Sequence, residues 1–90
     1  MEELIQRIQQ IRVAKGWDKT DTPEILAKSV FVEAGELLEC YLSSPKLDEV
    51  KSELADVLMY ALSLCHDLGW DPKEVVESKF PDIDQRYPSL

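Results

Sequence analysis

The chain has 90 residues, of which 18 are acidic and 10 are basic, and its formal net charge is −8. This length corresponds to one small domain, residues 1–90, which buries little surface alone, so self-association or a bound ion is expected. The negative charge argues against nucleic acid and anionic membranes as partners, and no apolar run approaches the roughly 20 residues that span a membrane.

Prolines mark three predicted helix starts. Thr22-Pro23, Ser44-Pro45 and Asp71-Pro72 each place a small polar side chain before a proline. The polar side chain can cap free backbone N–H groups, and proline suits the first position of a helix.

Glycines mark two predicted helix ends, Gly16 and Gly69, because glycine adopts the left-handed conformation at little cost. The predicted helices are therefore residues 2–15, 23–43, 46–68 and 72–80, followed by an irregular tail, FPDIDQRYPSL. No segment alternates apolar and polar residues with the period of a strand. The sequence thus predicts an all-α fold, a small bundle of four helices.

The second predicted helix carries two carboxylates beside its apolar face. At about 100° per residue, Glu33 lies at the edge of that face and Glu36 lies about 60° further round. Glu39 points farther away and is expected to be solvated. The third predicted helix repeats the arrangement with Glu53 and Asp56.

Two such pairs on neighbouring helices favour a cation site. Like charges three residues apart on a helix repel each other, and partial burial increases the cost. Mg²⁺ prefers an octahedral shell of hard oxygen atoms, so adjacent carboxylates supply part of its coordination. The alternative is an ordinary solvated surface of an acidic protein, and the residue pattern alone leaves both open. A di-iron site is disfavoured because it uses Glu-x-x-His, and His66 has no Glu three residues earlier.

The cysteines and the single histidine do not form a zinc-binding pattern. Cys40 and Cys65 make no CxxC motif, and zinc sites of these residue types need more closely spaced ligands. We therefore predict two reduced thiols on buried helix faces. Because no signal peptide opens the chain, we also predict a cytoplasmic protein.

The carboxylate pairs also match the motifs of a known family. Residues 33–36, EAGE, and residues 53–56, ELAD, are separated by sixteen residues and resemble the ExxE…ExxD signature of the MazG-like nucleoside triphosphate pyrophosphohydrolases. The segments KGWDKTDTPEILAKSVFVEAGELLE, ELADVLMYALSL and ESKF…QRYP are similar to the short branch that includes the dCTP pyrophosphatases. The likeness covers nearly the whole chain.

The resemblance implies an all-α fold assembled as a dimer or a tetramer. From the small size of the chain we also expect at least a dimer, with apolar residues such as Val30 or Leu58 between chains. It implies that the substrate is a nucleoside triphosphate, hydrolysed with Mg²⁺, or with Mn²⁺ as a substitute, to the monophosphate and pyrophosphate. The implied role is housekeeping of the nucleotide pool.

The resemblance also assigns roles to particular residues. The implied metal ligands, which carry catalysis through bound metal and water, are Glu33, Glu36, Glu53 and Asp56. The implied substrate-binding residues are Trp17 and Tyr60 near the nucleoside, and Lys79 and Arg86 near the phosphates.

Four positions depart from the family's pattern. Asp21 replaces a His, Ile25 replaces an Asn, Ser43 replaces an aromatic residue and Ile83 replaces an Asn. With fewer polar groups to read a base edge, we expect broad tolerance of bases and deoxynucleotides at least as good as ribonucleotides. The same departures leave open a catalytically weakened or inactive relative that acts as a helical interaction module.

Overall fold

The computed structural model describes all residues, 1–90, and consists of helices without a strand. Its elements are α1 (Glu2–Lys15), α2 (Trp17–Thr20), α3 (Pro23–Glu39), α4 (Leu47–Asp67), α5 (Pro72–Glu77) and α6 (Phe80–Arg86). The predicted all-α fold is confirmed, with two short helices, α2 and α6, added to the four that were predicted. None of the helices combines the length and the apolar character needed to cross a membrane.

Several helix ends form by the local interactions that the sequence indicates. The side chains of Thr22 and Asp71 accept hydrogen bonds of 3.2 and 3.1 Å from backbone N–H groups in the first turns of α3 and α5. Gly16 and Gly69 take left-handed φ angles of 76° and 74° where α1 and α4 end. Local capping and left-handed glycines therefore account for these four helix ends.

The connection between α3 and α4 differs from the prediction. The Ser44 cap is wrong, because Lys46 keeps an extended backbone and α4 begins only at Leu47. The α3 helix ends four residues early, because the N–H groups of Tyr41 and Leu42 bond to carbonyl groups three residues before them, at 2.9 and 3.1 Å. This tighter pattern closes the last turn and stops the α-helix.

The tail is not irregular as predicted, because residues Phe80–Arg86 form α6. Pro81 lies in the first turn of this helix, where a missing N–H group costs nothing. Pro88 lies beyond its end. Arg86 also pairs with Asp82 one turn earlier, at 3.3 Å between Nε and Oδ1. The prolines of the tail therefore lie in the first turn of a helix and beyond its end, where they do not prevent the helix from forming.

Helices α3 and α4 pack against each other as a helical hairpin and form the main body of the fold. Helix α1 lies across α4 and is fixed there by an ion pair between Arg12 and Asp67, with two nitrogen–oxygen distances of 2.9 and 2.8 Å. The Arg12 side chain is 4% exposed, so this pair is largely shielded from water. The apolar core is small and consists of Ile8 and Leu26.

The chain is more open than a globular monomer of its size. Its accessible surface is 7260 Å², whereas a folded monomer of this mass exposes about 5,400 Å². Its radius of gyration is 15.4 Å, against about 12 Å for a compact domain of this length. Much apolar surface is therefore left uncovered by the chain itself.

We expect Asp67→Asn to lower the free energy of unfolding by about 3 kcal/mol at neutral pH, because the buried Arg12 guanidinium loses its counter-charge. The hydrogen bonds from Arg12 lower the pKa of Asp67. The pair's contribution is therefore complete above the ordinary carboxyl pKa of about 3.9 and is lost as pH falls through the lower folded-state value.

Urea unfolding at neutral and at acid pH measures this difference between wild type and Asp67→Asn. Asp84→Asn, at an exposed position on α6, is the control and should match wild type throughout. A stability gap between wild type and Asp67→Asn that persists in strong acid would contradict the role given to the ion pair.

Candidate active site

The carboxylates of α3 and α4 meet where the two helices pack. Glu33 lies six residues before the end of α3, and Glu53 lies six residues after the start of α4. At 1.5 Å per residue, both therefore stand about 9 Å from the connecting turn and face each other. Oxygen atoms of Glu33, Glu53 and Asp56 all lie within 4.8 Å of one another. We call these three residues and Glu36 the carboxylate cluster.

Proximity alters the protonation of the cluster. Glu33 and Glu36 lie close enough to share a hydrogen bond when one of them carries a proton, and this bond, burial and the neighbouring negative charges raise the pKa of Glu33 to about 7. Burial, followed by the interaction with Glu36, also raises the pKa of Glu53. The cluster therefore holds negative charge at a cost to the folded state.

Two oxygen atoms of the cluster are ready to bind a cation. Oε2 of Glu33 and Oε2 of Glu53 are buried and have no hydrogen-bond partner. A buried, unpaired carboxylate oxygen is unfavourable unless a proton or a cation neutralises it. Three converging carboxylates offer the hard oxygen ligands that Mg²⁺ and Mn²⁺ prefer. The donor set thus fits a divalent cation, and the remaining coordination positions would be open to water and phosphate.

A cavity of about 260 Å³ adjoins the cluster and shares Asp56 with it. We call it the Trp17 cavity. Trp17 and Tyr60 stand on its wall, and its apolar lining comes from α1, α3 and α4, namely Ile8, Ile11, Leu26 and Met59. Apolar walls with a few polar groups are typical of small-molecule sites.

Tyr60 connects the cavity with the cluster. It lines the cavity, and burial together with the negative charges of Glu33, Asp21 and Asp56 raises the pKa of its hydroxyl group. The hydroxyl therefore stays protonated and remains a hydrogen-bond donor at neutral pH. A ligand that occupies both the cavity and the cluster would pass this group.

Comparison with known proteins identifies the family. The profile of the MazG-like family matches residues 24–89. The chain belongs to the MazG-like family. The crystal structure of a pyrophosphatase from Archaeoglobus fulgidus is 36% identical to this MazG-like chain, with a TM-score of 0.87 over 99% of this chain and 93% of that one. No protein of curated function matches the sequence. The resemblance to the family is thus confirmed, and the narrower dCTP-pyrophosphatase branch stays a prediction.

The predicted phosphate-binding residues are not joined to the cluster in this MazG-like chain. Lys79 lies between α5 and α6, and Arg86 near the end of α6 pairs with Asp82 in its own helix. Helices α5 and α6 make at most slight contact with the rest of the chain. The chain therefore brings together Trp17, Tyr60 and the carboxylates, but not these two basic residues.

The four departing positions have different surroundings. Asp21 lines the Trp17 cavity. Ile25 and Ile83 are 41% and 46% exposed and do not line it, and Ser43 lies in the exposed turn after α3. Only the first of these substitutions therefore changes the cavity wall within this chain.

Two residues of the cavity wall, Arg12 and Ser63, were not identified from the sequence. Each lies on the buried side of a helix, at a position where a polar residue is unusual. For both residues, the sequence therefore contained a local signal, namely a polar residue on the apolar side of a helix. Their convergence depends on how α1 crosses α4, which no local pattern in the sequence specifies.

We expect the metal-free MazG-like protein to lose stability as pH rises from about 5 to about 8. Glu33 has an ordinary pKa of 4.5 and a folded-state pKa of about 7, so between these values the folded state holds a proton that the unfolded chain has released. Raising the pH removes that proton and restores the repulsion. The melting temperature in EDTA, measured across this range, tests the expectation.

Glu33→Gln should flatten this dependence, whereas Glu39→Gln, an exposed position on the same helix, should leave it unchanged. A melting temperature that rises over the same interval in wild type would contradict the proton-sharing arrangement.

Proposed function

We propose that the chain is a Mg²⁺-dependent nucleoside triphosphate pyrophosphohydrolase that converts an NTP or dNTP to the monophosphate and pyrophosphate. The observation that carries the proposal is the pair of unpartnered carboxylate oxygens, on Glu33 and Glu53, beside a cavity large enough for a nucleoside. Membership of the MazG-like family and the similarity to an archaeal pyrophosphatase support it.

The carboxylate cluster is the proposed metal site. Glu33, Glu53 and Asp56 would hold the ion from the two sides of the α3–α4 hairpin, and Glu36 is the predicted fourth ligand. Bound Mg²⁺ would neutralise the phosphate oxygens and lower the pKa of the water that attacks phosphorus. The chain's own contribution is to align the triphosphate and to accept the proton of that water on a carboxylate of the cluster.

The Trp17 cavity is the proposed nucleoside site. Trp17 offers an aromatic face against which a base can stack, and Tyr60 donates a hydrogen bond where the cavity meets the cluster. With the base in the cavity, the triphosphate extends past Asp56 to the metal site. The anionic substrate can approach an acidic protein in this way because cations lie between the two.

We expect Glu36→Gln and Asp56→Asn each to reduce Mg²⁺-dependent pyrophosphate release by at least about 100-fold while the fold stays intact. The metal-free variants should be as stable as wild type or more stable, because repulsion within the cluster falls. A coupled pyrophosphate assay and circular dichroism measure the two effects.

Glu39→Gln is the matched control, since Glu39 is exposed on the same helix and outside the cluster. Wild-type turnover in either cluster variant would overturn the site assignment. A second readout is the rise in melting temperature on adding Mg²⁺ or Mn²⁺, which should be present in the control and absent in the cluster variants.

We also propose that two copies of the chain pack together through an apolar face formed by Phe31, Leu38, Leu54 and Leu58. These side chains are 81%, 62%, 44% and 51% exposed. On the helical wheel they lie on the side of the hairpin opposite Glu36 and Asp56. The roughly 1,900 Å² of excess surface on each chain is enough for a stable obligate interface. Val30, named with Leu58 from the sequence, is already half-buried within the chain.

We expect Leu58→Glu to convert the assembly into monomers, because it would bury a charge in the apolar interface. Sedimentation velocity at micromolar concentration gives the mass directly. Val13→Glu, which adds the same charge at an exposed apolar position on α1 and outside this face, is the control. A fully active monomer in the wild type would contradict the proposal.

The basic residues of the tail fit the same assembly. Because Lys79 and Arg86 make no ion pair with the cluster of their own chain, we propose that α5 and α6 close over the phosphates in the assembled form. The exposed Phe80, Ile83 and Tyr87 lie three or four residues apart and provide α6 with an apolar docking face.

A cytoplasmic location, consistent with two free cysteines, stays part of the proposal.

The alternative is an inactive relative that uses its helices only to bind other proteins. The observations in its favour are the loss of family polar groups at positions 25 and 83, the loss of an aromatic residue at position 43 and the large exposed apolar area. Pyrophosphate release from a panel of NTPs and dNTPs separates the two functions. Cation-induced stabilisation without any hydrolysis would favour the alternative.

A further inference from the structure

Small and large residues alternate along the exposed apolar side of α3. Phe31 and Leu38 are 81% and 62% exposed, and the exposed residues on the same side of the helix are Ala27, Ala34 and Gly35. At about 100° per residue, the five positions fall within an arc of about 100°. We call them the α3 row. Along the helix, the row therefore runs small, large, small, large.

Gly35 has no explanation within the chain. It lies inside α3, where glycine is less favourable than any other residue except proline. Its φ angle is not positive, so the backbone conformation does not require glycine. A Cβ atom added to it would meet nothing within 4 Å. No group of the same chain therefore needs the space that the missing side chain leaves.

The α3 row is complementary to a second copy of itself that runs in the opposite direction. Reversing the row about position 33 brings Phe31 opposite Gly35. The same reversal brings Leu38 opposite Ala27 to within one residue, which is about 1.5 Å along the helix. A large side chain thus meets a small residue in both pairs. Two-fold symmetry produces such an arrangement, because each contact across the axis occurs twice.

We propose that α3 of one copy packs antiparallel on α3 of the other about a two-fold axis at position 33, with Phe31 packed over Gly35 of the partner subunit. This inference rests on the proposed pairing of two copies and specifies which helices cross and where. The roughly 1,900 Å² of excess surface on each chain is enough for such an interface. On the helical wheel, Glu33 and Glu36 lie on the opposite side of α3 from the row. Both carboxylate clusters would therefore face away from the crossing and stay open to substrate.

Two substitutions that each weaken the dimer alone, and restore it when combined in a mixed dimer, test this geometry. In its homodimer, Gly35→Leu would place a bulky side chain against Phe31 at both contacts, and Phe31→Ala would leave a gap at both. Each change should raise the dissociation constant of the dimer at least about 10-fold. In a mixed dimer, the side chain introduced by Gly35→Leu fills the gap left by Phe31→Ala, and the second contact stays as in wild type. The mixed dimer should therefore be about as stable as the wild-type dimer.

Native mass spectrometry distinguishes the three dimers by mass after the two variants are refolded together from urea. The mixed dimer should clearly exceed the half of all dimers that random pairing gives. Val32→Ala is the matched control, because Val32 is 54% exposed on the same helix and lies about 100° from Phe31. Together with Gly35→Leu it should give no excess of the mixed dimer.

A mixed dimer at the random fraction, or a wild-type dissociation constant for Gly35→Leu, would overturn the crossing of the two α3 helices. If Leu58→Glu still separates the copies in either case, the proposed apolar face is retained and only the crossing is rejected. A wild-type protein that stays monomeric would reject both. Pyrophosphate release is a separate measurement and decides on the proposed enzyme alone.

Discussion

Repulsion among carboxylates at the contact between α3 and α4 is the constraint on which this structure depends. Most helical hairpins use such a contact for apolar packing, whereas here Glu33 and Glu53 occupy part of it and leave oxygen atoms buried and unpaired. The proton retained by Glu33 reduces the cost only in part. A divalent cation would remove this cost, so binding of the cation would also stabilise the hairpin.

The rest of the chain holds this hairpin without building a large core. The buried ion pair between Arg12 and Asp67 attaches α1 to α4, and this attachment also creates the Trp17 cavity beside the cluster. One contact therefore serves both stability and the site. The apolar face on the other side of the hairpin remains open, and it is the surface through which we propose that two copies of the chain pack.

Local chemistry made much of this predictable from the sequence. Caps at Thr22 and Asp71, the glycines at helix ends and the period of the carboxylates all act within a few residues, and the structure has them as expected. The early end of α3 depends on a change of hydrogen-bonding pattern at Tyr41 and Leu42. The helix over Phe80–Arg86 was not predicted, because proline breaks a helix at most positions and is compatible with this one only by its place in the first turn.

What the sequence did not predict depends on the arrangement of helices that are distant along the chain. Arg12 stands on the apolar side of α1, but its partner Asp67 is known only once α1 packs against α4. The meeting of Asp21 with Trp17 and Asp56 arises in the same way. Lys79 and Arg86 lie on or beside helices that make at most slight contact with the rest of the chain, so nothing within the chain brings them to the cluster.

The equal distance of Glu33 and Glu53 from the turn has a consequence for chain length. One residue added to either helix between a carboxylate pair and the turn would shift that pair by about 1.5 Å and rotate it by about 100°. Exposed connections ordinarily tolerate insertions and deletions. Here the turn at residues 40–46 can vary in composition. The number of helical residues between the turn and each carboxylate pair must stay fixed, because it keeps the two pairs opposite each other.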